Sequence, residues 1–317
     1  MNFNKNTING CIKFSTFPRI FTRMHDYIII DNCFHPIKLF DMKKYFFFLA
    51  LLPCLSACMD MKLAAVNLPS RFNDNAIQTM QYDSKNALNL DIYTPTQVTA
   101  NTNVVIFFYG GRWETGEKSD YRFMGALLAD HGYIAVLPDY RKYPRVHFPA
   151  FVQDGAAAVA WVAAHYPGRR IHIAGHSAGA HIGALIAADH SYLKKYNLDP
   201  DLTITDFIGL AGPYDFTPAG DDLEKIFGPP ANYPRMQVPT FITGHEPPML
   251  LMWGEDDKDV AAYNLGRLAG KIHAAGGDMA VKIYPGVDHA GMMKAFTWVE
   301  PDSPVRRDFF DYLEAHQ

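Results

Sequence analysis

Beyond Cys58 the chain has no cysteine at all: its four, Cys11, Cys33, Cys54 and Cys58, all fall at or before that position in 317 residues. No disulfide and no cysteine-ligated zinc can therefore belong to anything folded downstream. An excess of positive charge is missing too. Lys and Arg number 29 against 33 Asp and Glu, a net charge of −4. The basic residues form no stripe of the kind that tracks a phosphate backbone, so nucleic acid is not an expected partner. Internal repeats and low-complexity linkers are absent, which excludes solenoids and arrays. No apolar run is long enough to span a bilayer as a helix. What is present, 49% hydrophobic and 20% charged residues, suits one large globular domain with a well-buried core.

The N-terminal region has its own logic. Met42 to Cys58 reads MKKYFFFLALLPCLSAC, two lysines followed by a short apolar run and small residues, the layout of a secretory signal. The ending Leu-Ser-Ala-Cys resembles the lipobox of bacterial lipoproteins. That resemblance implies a signal peptide over 42–57, cleavage before Cys58, and a lipid on Cys58 that anchors an exported protein to a bacterial membrane. The plainer reading is a signal cut near Ala57 with no lipid. Residues 1–41 lie upstream of the start this signal would need and are expected to be an extension outside the fold. Residues 58–80 read as a tether, and the folded domain is expected over 81–317.

Within that domain, apolar patterns alternate between two periods. Leu88–Tyr93, Val104–Tyr109, Ile134–Leu137, Ile171–Ala174, Asp206–Leu210, Met249–Trp253 and Val281–Tyr284 read as strands. Phe123–His131, Ala150–His165, the run after Ser177, about Val260–Ala275 and Arg306–Ala315 read as helices. Val104–Tyr109 (VVIFFY) is apolar throughout, as a strand buried on both faces must be. Strands alternating with helices predict an α/β fold with a mostly parallel central sheet and helices on both faces. Ligands then bind at the carboxyl ends of the strands.

One corner stands out. Ile171 to Leu185 reads IHIAGHSAGAHIGAL, a strand that turns straight into a helix at Ser177 with Gly175 and Gly179 two residues to either side. Such a turn exposes a serine hydroxyl at a helix N-terminus, where the dipole favours developing negative charge. A serine is a weak nucleophile without a base, and the base needs a carboxylate to orient it. His289, in the loop after the last strand, is the candidate base. The segment GEDDKDV after Met249–Trp253 offers Glu255, Asp256, Asp257 and Asp259.

The order serine, acid, histidine along this sheet resembles the α/β-hydrolase superfamily, and the resemblance covers nearly everything after Gln81. It places the acid three residues after the strand-end glycine and three before a valine, which Gly254, Asp257 and Val260 match. Asp257 is therefore the expected acid, with Asp256 second and Asp215 (in AGPYDF) third. Tyr109-Gly110-Gly111-Arg112-Trp113 resembles the H-G-G-x-W loop of esterases and arylformamidases, with tyrosine in place of histidine. By that resemblance the amides of Gly110, Gly111 and Ala178 form the oxyanion hole. LPDYRKYP, GLAGPYDF and TGHEPPMLLMWG resemble segments of bacterial carboxylesterases near the arylformamidase and feruloyl-esterase branch. The implied function is hydrolysis of a small-molecule carboxylic ester through an acyl-enzyme, with Ser177, Asp257 and His289 catalytic and with no metal or organic cofactor. Hydrolysis of an N-formyl aryl amide is the first alternative, and a non-catalytic binding protein of the same fold the second. His181, one turn beyond the serine, is expected to pack beneath it. The Pro-rich segment from Asp221 to Thr243 is expected to cover the site.

Expressed from Met42, the protein is expected to incorporate labelled palmitate and to partition with membranes. Cys58→Ala should abolish both, and a Cys58→Ala protein that is still acylated would contradict the lipid anchor.

Overall fold

The computed structural model describes residues 27–30, 33–36, Asn67 and 76–317, so the signal-like segment and Cys58 lie outside the described residues. The chain divides into two units, Met1–Asp60 and Met61–Gln317. In the first, strands β1 (Tyr27–Ile30) and β2 (Cys33–Pro36) pair antiparallel. No helix among the described residues is long and apolar enough to cross a membrane.

The second unit is built on an eight-stranded sheet in the order β10-β9-β8-β7-β5-β6-β4-β3. Its strands are β3 (Ala76–Asp83), β4 (Leu88–Thr94), β5 (Val104–Phe108), β6 (Ile134–Pro138), β7 (Ile171–His176), β8 (Asp206–Leu210), β9 (Met249–Gly254) and β10 (Met279–Tyr284). From β6 through β5, β7, β8, β9 to β10 every pairing is parallel; β4 runs antiparallel to both β6 and β3. This is the mostly parallel sheet that the alternating pattern predicts.

β5, at the centre, is buried at all five positions. Val104, Ile106 and Phe108 face one core cluster; Val105 and Phe107 face the other. The period-two alternation of a strand thus feeds two separate layers. On the first face lie α2 (Ala150–His165), α3 (Ala178–Ala188) and α5 (Tyr263–Ala275), contributing Phe151, Val159, Ile182 and Leu268 among others. On the second lie α1 (Arg122–Asp130) and α6 (Pro304–Ala315), contributing Met124, Leu128, Phe309 and Leu313. A short α4 (Asp221–Phe227) sends Ile226 and Phe227 into the first layer. Burial of a dozen such side chains, at roughly 1.5–3 kcal/mol each, is the main force holding helices to sheet.

Several element boundaries differ from expectation, three of them for a visible physical reason. β3 was not anticipated. Its sequence, AIQTMQYD, interleaves polar with apolar residues on an edge strand, and Ile77 is 43% exposed. The boundary expected between a tether ending at 80 and a domain starting at 81 therefore falls inside a strand, which pairs Ile77 with Tyr93 and Met80 with Leu90. α6 starts at Pro304 rather than Arg306, because proline fits the first helical turn, where its missing N–H is not needed. α5 starts at Tyr263 rather than near Val260, because the backbone N–H of Val260 is held by Asp257.

The corner at Ser177 depends on how closely α3 crosses the sheet. A Cβ on Gly179 would lie 2.1 Å from the carbonyl oxygen of Phe108, and one on Gly175 would lie 2.6 Å from the backbone of Gly179. Backbone cannot retreat as a flexible side chain can. Gly179→Ala is expected to destabilise the protein by about 2–3 kcal/mol, lowering Tm by roughly 5–10 °C in thermal unfolding. A variant that melts with the parent would show that α3 is free to move away.

Candidate active site

Ser177 sits between β7 and α3 with φ 53° and ψ −122°, a left-handed conformation that a side-chain-bearing residue adopts only under constraint. The constraint is visible. The N–H of Ser177 donates to the carbonyl of Leu210 at the end of β8, 2.9 Å away, and its own carbonyl accepts from His181 at 3.1 Å. Ser177 is held from both sides, and it lines a cavity of about 490 Å³ at the carboxyl ends of the strands.

His289 lines the same cavity from the loop after β10. Its Nδ1 lies 2.8 Å from Oδ2 of Asp257, in the loop after β9. A carboxylate only accepts, so Nδ1 carries the hydrogen, and in the neutral imidazole Nε2 then holds the lone pair. The other oxygen of Asp257, Oδ1, accepts from the N–H groups of Asp259 and Val260, both at 2.9 Å. Burial alone would raise the pKa of this carboxyl. The hydrogen bonds from His289, Val260 and Asp259 outweigh it and hold the group below its ordinary value, so it stays ionised. Among the described residues, His289 has no hydrogen bond or ion pair with either of the other two candidate acids. Asp215 pairs with Arg267 at 3.5 Å, and Asp256 is exposed, its N–H donated to Val287.

The loop after β5 makes the facing wall. Thr115 and Glu114 donate their N–H groups to the carbonyl of Gly111, closing a tight turn in which Arg112 (φ 54°) and Trp113 (φ 62°) are both left-handed. Gly111 itself has φ 129°, and a Cβ there would meet the carbonyl of Thr115 at 2.3 Å. Of the three amides expected to form an oxyanion site, Gly110 is spoken for: its N–H donates to the hydroxyl of Tyr121 at 3.2 Å. Among the described residues no protein acceptor takes the N–H of Gly111 or of Arg112. Ala178 is the first residue of α3, where an N–H has no intrahelical partner. Arg112 was missed in the sequence; two successive left-handed residues on a glycine turn leave no pattern that period or spacing detects.

Tyr109, standing where the resemblance implies histidine, anchors the root of this loop. Its hydroxyl donates to Asp139 at 3.0 Å and accepts from Lys142 at 2.9 Å, while its ring stacks on Tyr140 at 4.6 Å. Trp113 pins the other end, stacked on Phe216 at 5.6 Å and edge-on to His181 at 5.2 Å. His181 packs beneath the serine as expected and donates from Nε2 to the carbonyl of Met236 at 2.7 Å; burial pushes its pKa down to about 4. Leu223 of α4 reaches the cavity wall, so part of the Pro-rich segment does border the site.

Two groups among the described residues could in principle approach a metal ion: the exposed His190, Asp199 and Asp201, and Asp257 with Asp259 and His289. In the second, both oxygens of Asp257 are already taken by the imidazole and two amides.

Comparison with known proteins follows the same outline. The BD-FAE family model matches residues 90–271. A probable isoprenylcysteine alpha-carbonyl methylesterase from Oryza sativa subsp. japonica is 30% identical over 164 residues, 49% of this chain and 38% of that protein. A kynurenine formamidase from Salmo salar is 29% identical over 130 residues, 41% of this chain and 43% of that protein. The chain spans between 36% and 59% of the length of its first curated relatives. Among solved structures, a truncated carbohydrate esterase from gut microbiota superposes with a TM-score of 0.66 at 21% identity, covering 76% of this chain and 96% of that one, which shows a shared fold.

Proposed function

The chain belongs to the BD-FAE family, and from that premise we propose that it is a serine esterase acting through an acyl-enzyme. The observation that carries this reading is the Asp257–His289 contact of 2.8 Å opening onto the cavity that Ser177 also lines. His289 has its lone pair on Nε2 and takes the proton of Ser177 as Oγ attacks the ester carbonyl. Ionised Asp257 holds the resulting imidazolium in place. The carbonyl oxygen becomes an oxyanion, and the amides of Gly111, Arg112 and Ala178 face it, aided by the N-terminus of α3. His289 then returns the proton to the leaving alcohol, and water repeats the sequence on the acyl-enzyme to release the acid. Every proton taken is given back, and one water is consumed for each ester cleaved.

The bond cleaved is proposed to be a carboxylic ester, as the methylesterase name of the rice relative suggests. The same machinery would hydrolyse an N-formyl aryl amide, the alternative that the salmon relative favours. The Leu-Ser-Ala-Cys sequence supports lipid attachment at Cys58 and a place on a bacterial membrane.

Kinetics on a panel of p-nitrophenyl esters and N-formyl anilides separate these possibilities. The esters are expected to be the better substrates by kcat/KM. Ser177→Ala should lose on the order of 10⁴ or more in kcat, and Asp257→Asn should lose on the order of 10⁴, because an amide can stabilise the wrong imidazole tautomer. Asp256→Asn and Asp215→Asn should stay within about threefold of the parent. A parent that cleaves only the anilides would reverse the substrate assignment, and a sensitive Asp215 would move the acid to the end of β8.

A further inference from the structure

Behind the serine, hydrogen bonds run in one unbroken line across the site. The N–H of Gly110 donates to Oη of Tyr121 at 3.2 Å. Oη of Tyr121 lies 3.3 Å from Nδ1 of His176, and Nε2 of His176 lies 3.2 Å from the main-chain oxygen of His289. The chemistry of the two ends fixes the protons between them. A carbonyl oxygen can only accept, so Nε2 of His176 carries the hydrogen. The neutral ring then offers only a lone pair at Nδ1, so the hydroxyl of Tyr121 donates to it. The same hydroxyl oxygen keeps its own lone pairs for the N–H of Gly110. No other arrangement of hydrogens on a neutral His176 satisfies all three contacts.

His176 is 6% exposed. Burial first, and the neighbouring His289 second, push its pKa down to about 3, against the weaker opposing pull of its bond to the His289 carbonyl and of Asp257. Around it stand Tyr121 on one side and His289 with Asp257 on the other, and the His176 and His289 rings are 4.8 Å apart between centroids. A cation at His176 would oppose the imidazolium that His289 must become during turnover. A neutral ring does not.

The two loops so joined have no strand pairing in common. Gly110 follows β5, His289 follows β10, and three strands separate those two in the sheet. We propose that Tyr121 and His176 are positioning residues that tie the oxyanion loop to the loop of the base through this single tautomer. The contacts stand by themselves; their consequence for turnover rests on the esterase reading above. Without the hydroxyl of Tyr121, the N–H of Gly110 and Nδ1 of His176 both lose a buried partner, and the ring is free to take the other tautomer. A lone pair on Nε2 would then face the carbonyl of His289 and push the base loop away.

Tyr121→Phe tests this while keeping the ring, which packs against Phe107 at 5.8 Å and Phe123 at 5.9 Å. The expected result is a fall in kcat of about 10–30-fold with KM within about threefold. His176→Gln, which can accept from Tyr121 and donate to His289, should stay within about tenfold of the parent, whereas His176→Leu should lose about 100-fold. Nitrogen-15 NMR of labelled histidine reads the tautomer without reference to activity. In the parent, His176 should be Nε2-protonated and should not titrate between about pH 5 and 9; in Tyr121→Phe its Nδ1 signal should lose the signature of an accepted hydrogen bond. An Nδ1-protonated or titrating His176, or a Tyr121→Phe enzyme with parental kcat, would overturn the proposal. A parent inactive on every ester whose His176 still reports this tautomer, and still responds to Tyr121→Phe, would support the network and remove the esterase reading instead.

Discussion

Everything in the site follows from how closely the backbone of α3 approaches β5. At Gly179 the helix passes so near the carbonyl of Phe108 that no side chain fits. That approach draws the end of β7 and the start of α3 into one sharp corner, and Ser177 takes a left-handed conformation to turn it. The strain, of order 1–3 kcal/mol, is tolerated because Leu210 and His181 hold the serine's N–H and C=O on either side. The same closeness brings the loop after β5 alongside the serine, so that Gly110 lies within contact distance of His176 and Ser177. One packing constraint thus sets Ser177 and the wall it faces together.

Electrostatics then separate the three histidines gathered around Ser177. His176 and His181 are buried among aromatic rings and backbone, and burial holds both neutral. His289 is partly exposed and faces a fully buried carboxylate. Of the three, only the last has a carboxylate in direct contact with its ring, placed to stabilise a positive charge there. The division of labour comes from surroundings rather than residue type.

Much of this was legible in the sequence. Strands such as β5 and β9 are apolar at every position, and Gly175-x-Ser177-x-Gly179 between a strand and a helix can hardly be read as another turn. The order of Ser177, Asp257 and His289 matched the expected sheet, and Gly254 with Val260 singled out Asp257, whose side chain does meet His289. Two kinds of feature were not legible. β3 is half polar because its outer side meets water, so it carries no strong period. The contacts of Tyr121 with Gly110 and His176 join residues 11 and 55 positions apart, through a helix-entry tyrosine that composition gives no reason to notice. The resemblance implies an oxyanion role for Gly110, a glycine whose missing side chain also leaves room beside it. The fold uses that smallness to let His176 approach, and turns the amide toward Tyr121.

The account stands or falls on a covalent bond to Ser177. Rapid quenching of the protein with p-nitrophenyl butyrate, followed by digestion and mass spectrometry, reads that bond directly. The account predicts that the peptide containing Ser177, and no other, gains the mass of one butyryl group early in turnover and loses it as substrate is exhausted. An adduct on a different residue, or steady release of butyrate with no adduct on any peptide at the earliest times, would contradict it.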